Sequence, residues 1–334
     1  MDINKLVRKN VAAMKPYSSA RDEFDGVEGL FLDANENPCS NGVNRYPDPY
    51  QRKLKEVIAT QKQVSIENIL LGNGSDEVLD LLFRAFCEPK KDNVVVTAPS
   101  YGMYKVLANL NDVEVNEVFY ESDFSLDADK IIAATDKNTK LIILCSPNNP
   151  TGNSIDSKVI EKVLSNTNCL VVVDEAYIDF SNHSSCINSL GNNNQLIVIQ
   201  TLSKYFGMAG IRLGMCFTNK EITTILNRIK PPYNVNVLTQ TKAIEFLQNI
   251  DLNYKNEVIS ERENLSKELS KLNYVVKVYP SDANFLLVKT TDANWVYNEL
   301  VKQQIIIRNR TNEPLCEDCV RISIGTKQEN EILI

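Results

Sequence analysis

The chain has 334 residues, with 36 Lys and Arg against 43 Asp and Glu, a net charge of −7, and 43% hydrophobic residues. That length allows one large domain and a smaller one, and the acidic balance argues against nucleic acid or an anionic membrane as a partner. A single histidine, His183, removes H-E-x-x-H metalloproteases and multi-His metal sites, and eight cysteines scattered through so long a chain read as reduced core residues of a cytoplasmic protein.

The N-terminal Met1-Asp2-Ile3-Asn4-Lys5 lacks the apolar core of a signal peptide, and no stretch approaches the roughly 18 apolar residues of a membrane span. Residues 1–30 are irregular and include Lys15-Pro16-Tyr17, the pattern of an arm expected to pack with the smaller domain. Gly72-Asn73-Gly74-Ser75-Asp76-Glu77 precedes an amphipathic run, Val78–Phe86, with apolar residues at 78, 79, 82, 83 and 86 on one helical face. Glycines there permit close backbone approach, and the free N–H groups of a helix start suit an anion. Ser75 or Asp76 equally serves as an ordinary N-cap.

Val94–Thr97, Leu141–Cys145, Leu170–Val173 and Leu196–Gln200 are short, continuous and apolar, as in strands buried on both faces of a parallel sheet. Helical patterns such as Val159–Leu164 lie between them, which predicts an α/β doubly wound domain over residues 31–230. These runs end in Thr97-Ala98-Pro99-Ser100-Tyr101, Ser146-Pro147-Asn148-Asn149-Pro150, Asp174-Glu175-Ala176-Tyr177 and Thr201-Leu202-Ser203-Lys204. Ligands of open α/β sheets bind beyond the carboxyl ends of the strands, so the four segments are candidate walls of one site.

Lys230-Pro231-Pro232-Tyr233-Asn234 reads as a linker. A helical stretch, 237–272, follows, then strand-like Val275–Tyr279, Asn284–Val288 and Val320–Ile324 around a helix near Ala293–Gln303. Residues 231–334 are therefore expected to form a smaller α+β domain. Cys316-Glu317-Asp318-Cys319 has no second ligand pair for zinc and reads as a surface turn.

Asp174 would end a buried strand, where a carboxylate is costly without a partner. A protonated pyridine nitrogen is one such partner and a helix N-terminus is another. Tyr177 and Asn149 could both hydrogen-bond a ring oxygen. A lysine at 204 can form an imine when partly desolvated, and the hydroxyls of Thr201 and Ser203 and the planar fork of Arg212 can bind phosphate.

Ser146–Gly152, Asp174–Tyr177 and TLSKYFGMAGIRLG at 201–214 together resemble the class I and II aminotransferases, of fold type I. Leu32–Pro38, Asn44–Asp48 and Val320–Thr326 resemble the histidinol-phosphate branch of that family, and the likeness runs from about residue 8 to the end. The resemblance implies pyridoxal 5'-phosphate as cofactor, held on Lys204. It implies Asp174 on the pyridine nitrogen, Asn149 and Tyr177 on the phenolic oxygen, and Tyr101 stacked on the ring. Ser75, Asp76, Thr201, Ser203 and Arg212 would take the phosphate, joined by Tyr46 of a partner subunit in a homodimer with shared active sites. Arg321 would grip the substrate α-carboxylate, Arg308 the substrate phosphate or distal carboxylate, and Tyr17 and Asn35 would line the substrate. The implied activity moves an amino group between L-histidinol phosphate and 2-oxoglutarate, giving L-glutamate, in histidine biosynthesis. An aromatic or broad-specificity aminotransferase and a threonine-phosphate-type decarboxylase remain open alternatives. Arg310 lies two residues from Arg308 on the same strand face and leaves open which of the two meets the phosphate.

Overall fold

The computed structural model describes residues 2–17, 29–249 and 253–334. Its larger sheet has seven strands: β1 (Ile69–Asn73), β2 (Asn93–Ala98), β3 (Glu114–Phe119), β4 (Thr139–Cys145), β5 (Leu170–Asp174), β6 (Leu196–Thr201) and β7 (Leu213–Phe217), in the spatial order β1-β7-β6-β5-β4-β2-β3. Pairings among β2, β3, β4, β5 and β6 are parallel, and β7 runs antiparallel to both of its neighbours. The sheet is therefore mostly parallel, as the continuous apolar runs require.

Alternate residues of the buried strands feed two separate cores. Leu141, Ile143, Leu170, Val172, Ile197 and Ile199 face one side, while Ile142, Leu144, Val171, Val173, Leu196 and Val198 face the other. The first side is covered by α1 (Lys9–Ala13), α3 (Ser75–Phe86), α4 (Met103–Leu110) and α7 (Lys220–Ile229), the second by α2 (Arg52–Lys62), α5 (Ala128–Ala133), α6 (Ser157–Asn166) and α8 (Val237–Gln248). This is the three-layer α/β arrangement that strands apolar on both faces demand. Among the described residues, no helix is long and apolar enough to cross a membrane.

A second, antiparallel sheet has the order β10-β11-β9-β8, from β8 (Val275–Val278), β9 (Phe285–Thr290), β10 (Arg308–Asn309) and β11 (Cys319–Ser323). Residues of α9 (Asn253–Leu269) and α10 (Ala293–Lys302) fill its core, with Leu333 of α11 (Lys327–Leu333) packed at the side.

Three expectations change. Ile3, Val7 and Val11 recur every four residues and bury themselves with α3 and α7 of the large sheet, not against the smaller domain. The Arg8 N–H donates to the Ala85 carbonyl at 3.0 Å, and Arg228 donates to the carbonyls of Val11 and Ala12. The remainder of the expected arm at 18–28 lies outside the described residues. The helical stretch from 237 is two helices: Ala243 and Leu247 join the large-sheet core, while Leu265 and Leu269 join the small-sheet core. Packing with the large sheet thus continues well past Lys230. Cys316 and Cys319 are buried with Tyr120, Phe124 and Leu287 instead of lying in a surface turn.

The contact between β1 and β7 is close enough to demand glycine. A Cβ on Gly214 would lie 2.3 Å from the Gly74 carbonyl carbon and the Ser75 nitrogen, both backbone atoms that cannot swing away. Gly214→Ala should therefore push the Gly74–Ser75 turn outward and cost about 1–3 kcal/mol, as overpacking does. Thermal unfolding of the variant should show a melting point several degrees lower. Wild-type stability would contradict this account of the β1–β7 contact.

Candidate active site

Asp174 closes β5 in mid-sheet, in register with Cys145 of β4 and Ile199 of β6. It is 3% exposed. Its Oδ2 accepts the Tyr104 hydroxyl at 2.7 Å and its Oδ1 accepts the Ala176 N–H at 3.2 Å. Burial pushes the carboxyl up to about 6, against the downward pull of these two hydrogen bonds and the Lys204 charge. Tyr104 has no exposure at all, and neither motif nor spacing singled it out. One signal was available: Tyr104 falls on the apolar face of α4 with Leu107 and Ala108, and a hydroxyl on such a face needs a partner.

Lys204 sits in the turn after β6. Its Nζ stands 5.8 Å from the Tyr177 ring centre. Burial, and then the Arg321 charge, lower its pKa, with Asp174 and Asp76 opposing. Tyr177 is itself buried, edge-to-face on Phe285 with centroids 5.1 Å apart. That contact belongs to a cluster of Tyr177, Phe180, Tyr205, Val258, Ala283 and Phe285, which joins the two sheets at the site.

Antiparallel β7 begins at the end where the parallel strands finish, so Arg212, just before it, reaches the same rim. Arg212 adopts φ 55° and donates through Nη1 to Ser203 Oγ at 3.4 Å and to the Ala209 carbonyl at 3.3 Å. Beside it Gly74 has φ 82°, and a Cβ there would stand 2.6 Å from Arg212 Nη2. The glycine lets the guanidinium reach the first turn of α3, which carries Ser75 and Asp76. A left-handed turn, a helix N-terminus and an arginine together make an anion cradle. The Thr201 hydroxyl is turned inward: it donates to the Leu213 carbonyl at 3.1 Å and accepts the Ser203 N–H at 3.1 Å, so its proton is already committed.

Tyr101 donates to Asp76 Oδ1 at 3.3 Å and meets Tyr104 edge-to-face at 5.6 Å. Asn149 is 7% exposed and accepts a hydrogen bond from Arg321 Nη1. The preceding Asn148, fully buried, fixes this turn by donating to the Pro99 carbonyl and Thr151 Oγ1 while accepting from Ser100. Arg321 lies on β11 directly opposite Arg308 of β10 and 5.2 Å over the Phe285 ring. Its Nε is buried without an acceptor among the described residues.

Contacts thus link Asp174, Tyr104, Tyr101 and Asp76 in one series, Lys204 to Tyr177, Arg321 to Asn149, and Arg212 to Ser203 and Gly74. Three expected residues stand apart from them. Tyr17 is 70% exposed. Asn35 and Tyr46 line a surface recess with Val43 and Leu238, and Tyr46 stacks on Tyr233 at 4.4 Å.

Residues 32–334 match the family described as "Aminotransferase class I and II". The histidinol-phosphate aminotransferase of Flavobacterium johnsoniae is 55% identical, over 100% of this chain and 97% of that protein. Among solved structures, the histidinol-phosphate aminotransferase from Clostridium acetobutylicum superposes with a TM-score of 0.79 at 29% identity, covering 87% of this chain and 89% of that one. The histidinol-phosphate aminotransferase from Sinorhizobium meliloti, solved in complex with pyridoxal-5'-phosphate, superposes with a TM-score of 0.78 at 24% identity, covering 86% of this chain and 80% of that one.

The raised Asp174 carboxyl has a measurable consequence for the chain without a bound group. An acid whose folded pKa lies above its unfolded value favours folding only when protonated. Its contribution is therefore lost as pH climbs from about 4 through about 6. Asp174→Asn keeps the Tyr104 hydrogen bond without the buried charge. It should be more stable than wild type at pH 8 by up to about 3 kcal/mol, with the gap closing below about pH 4. Urea unfolding across that range checks this, and a gap independent of pH would contradict it.

Proposed function

The chain belongs to the class I and II aminotransferases, within the histidinol-phosphate aminotransferase branch. On that premise we propose that it moves the amino group between L-histidinol phosphate and 2-oxoglutarate, giving imidazole-acetol phosphate and L-glutamate. The observation that carries the reading is the buried Asp174 carboxylate standing close enough to Lys204 for their charges to interact, with the Gly74–Arg212 anion cradle on the same rim of the sheet. The residues fit pyridoxal 5'-phosphate: the carboxylate suits the ring nitrogen, Lys204 the aldehyde, and the Gly74–Arg212 turn the phosphate.

When bound, the cofactor supplies an electron sink for the substrate's α-carbon. The rest falls to the chain. Asp174 keeps the ring-nitrogen proton in place, since a cation beside it offsets the cost of its own burial. Tyr104 positions that carboxylate. Lys204 Nζ, its basicity lowered by burial and by the Arg321 charge, would take the substrate α-proton and return it as general base and acid. Tyr177 and Asn149 hold the phenolic oxygen, and Tyr101 packs on the ring. The N–H groups of Ser75 and Asp76 hold the phosphate with Ser203 and Arg212, and Thr201 braces Ser203 from beneath. Arg321 takes the α-carboxylate of glutamate, its Nη1 already fixed by Asn149.

The reading includes a homodimer with shared sites, formed by residues 29–47 and the start of α8. Leu30, Leu32, Val43, Tyr46 and Leu238 all lie exposed in that region, an apolar face suited to a second subunit. Tyr46 would complete the partner subunit's phosphate site, and Tyr17 and Asn35 would line the substrate. All eight cysteines are free thiols, which supports a cytoplasmic home. Full-length likeness to an aminotransferase favours amino-group transfer over decarboxylation. The cation Arg308, facing Arg321 across the strand pair, favours a doubly anionic substrate over an aromatic amino acid.

Lys204→Ala tests the reading. It should retain phosphate-anchored cofactor, lack the visible absorption band of the lysine-bound form, and lose turnover of L-histidinol phosphate by several orders of magnitude. Near-normal turnover would sink the lysine assignment.

A further inference from the structure

Arg310 is absent from the roles above, yet it occupies the same strand face as Arg308 and Arg321. Its N–H donates to the Cys319 carbonyl at 2.8 Å, which carries the β10–β11 ladder one step beyond Asn309. Residues two apart in a strand share a face, so Arg308, Arg310 and Arg321 stand together. Their surroundings differ. Arg308 is exposed, whereas the Arg310 side chain is only 17% exposed. Arg310 Nη1 pairs with Glu313 at 3.6 Å, and its Nε is buried without an acceptor among the described residues.

Arg310 and Arg321 therefore share one arrangement. A chain oxygen steadies Nη1 in each, the Glu313 carboxylate by ion pairing and Asn149 by a hydrogen bond, while Nε is left with no acceptor among the described residues. A buried guanidinium donor left unmatched is costly, and an oxyanion is its natural complement. The crowding is also costly: after burial itself, Arg308 is the largest influence lowering the Arg310 pKa, and Arg310 holds the same place for Arg321. Three like charges held this close favour a ligand with more than one negative charge. A phosphate monoester carries about −1.5 to −2 at pH 7, while the α-carboxylate of glutamate needs only one of the three cations.

We propose that Arg310 is the second cation of the substrate-phosphate subsite, clamping the phosphate monoester together with Arg308 while Arg321 stays with the carboxylate of the other substrate. Glu313 is then a positioning residue, turning the Nε edge of Arg310 toward the ligand. The inference rests on the histidinol-phosphate reading and adds to it the residue that reads the phosphate charge.

The test compares L-histidinol phosphate with unphosphorylated L-histidinol as amino donors for wild type, Arg310→Gln and Arg310→Lys. The ratio of kcat/KM between the two donors should fall about tenfold or more in Arg310→Gln, mainly through KM for the phosphorylated one. Arg310→Lys should recover part of it, because the charge returns without the fork. A purely structural role would depress both donors together and leave the ratio unchanged, which would overturn the proposal. A wild-type protein with no preference for the phosphorylated donor would overturn both the proposal and the reading beneath it. A preference that survives Arg310→Gln would overturn the proposal alone.

Discussion

A carboxylate buried in the middle of a sheet is the constraint around which this site is arranged. Asp174 ends a strand whose other residues are wholly buried, so its charge has left water and is only partly compensated. The Tyr104 hydroxyl, the Ala176 N–H and the Lys204 charge all favour the ionised form, and the carboxyl still sits at about 6. What remains is an unmet demand for a cation. On the proposed reading a protonated pyridine nitrogen would meet it, and the same pairing would keep that nitrogen protonated. Burial that weakens the free chain would then become affinity and electron-withdrawing power in the cofactor-bound protein.

The topology collects the other groups around that point. Parallel strands bring Asn149, Asp174 and Lys204 to one rim, and the reversal of β7 adds Arg212 from a segment that follows Lys204 closely in sequence. Two glycines make the cradle possible for different reasons. Gly74 supplies a left-handed φ, and Gly214 yields the space into which the Gly74–Ser75 backbone presses. The smaller sheet contributes arginines from β10 and β11. Arg321 reaches across to Asn149, and the aromatic contact of Tyr177 with Phe285 joins the two sheets beside the site.

Much of this was legible in the sequence because it depends on strands buried on both faces. β2, β4, β5 and β6 announce themselves as continuous apolar runs, and the polar segments that end them carry Tyr101, Asn149, Asp174 and Lys204. β1 and β7 escaped notice because each carries a glycine that close packing requires and that weakens a strand pattern. β3 is an edge strand with exposed Glu114, Glu117 and Phe119, so its alternation is mixed. Tyr104 was hidden for another reason: its hydroxyl matters through Asp174, seventy positions away, and a helical apolar stripe gives no hint of that partner. Likewise Ile3, Val7 and Val11 form a readable stripe, but its surface of attachment is a tertiary fact. The buried Cys316 and Cys319 show the same limit, since a polar C-x-x-C turn reads as exposed until Tyr120 and Phe124 cover it.

If burial holds Asp174 poised for a cation, the carboxyl itself must report it. Difference-infrared or carbon-13 NMR titration of Asp174, without and with pyridoxal 5'-phosphate, gives the answer directly. A midpoint near pH 6 is expected in the cofactor-free protein, with a shift to below about pH 4 once the ring nitrogen stands beside it. An ordinary midpoint in the cofactor-free protein, or one that cofactor leaves unmoved, would contradict it.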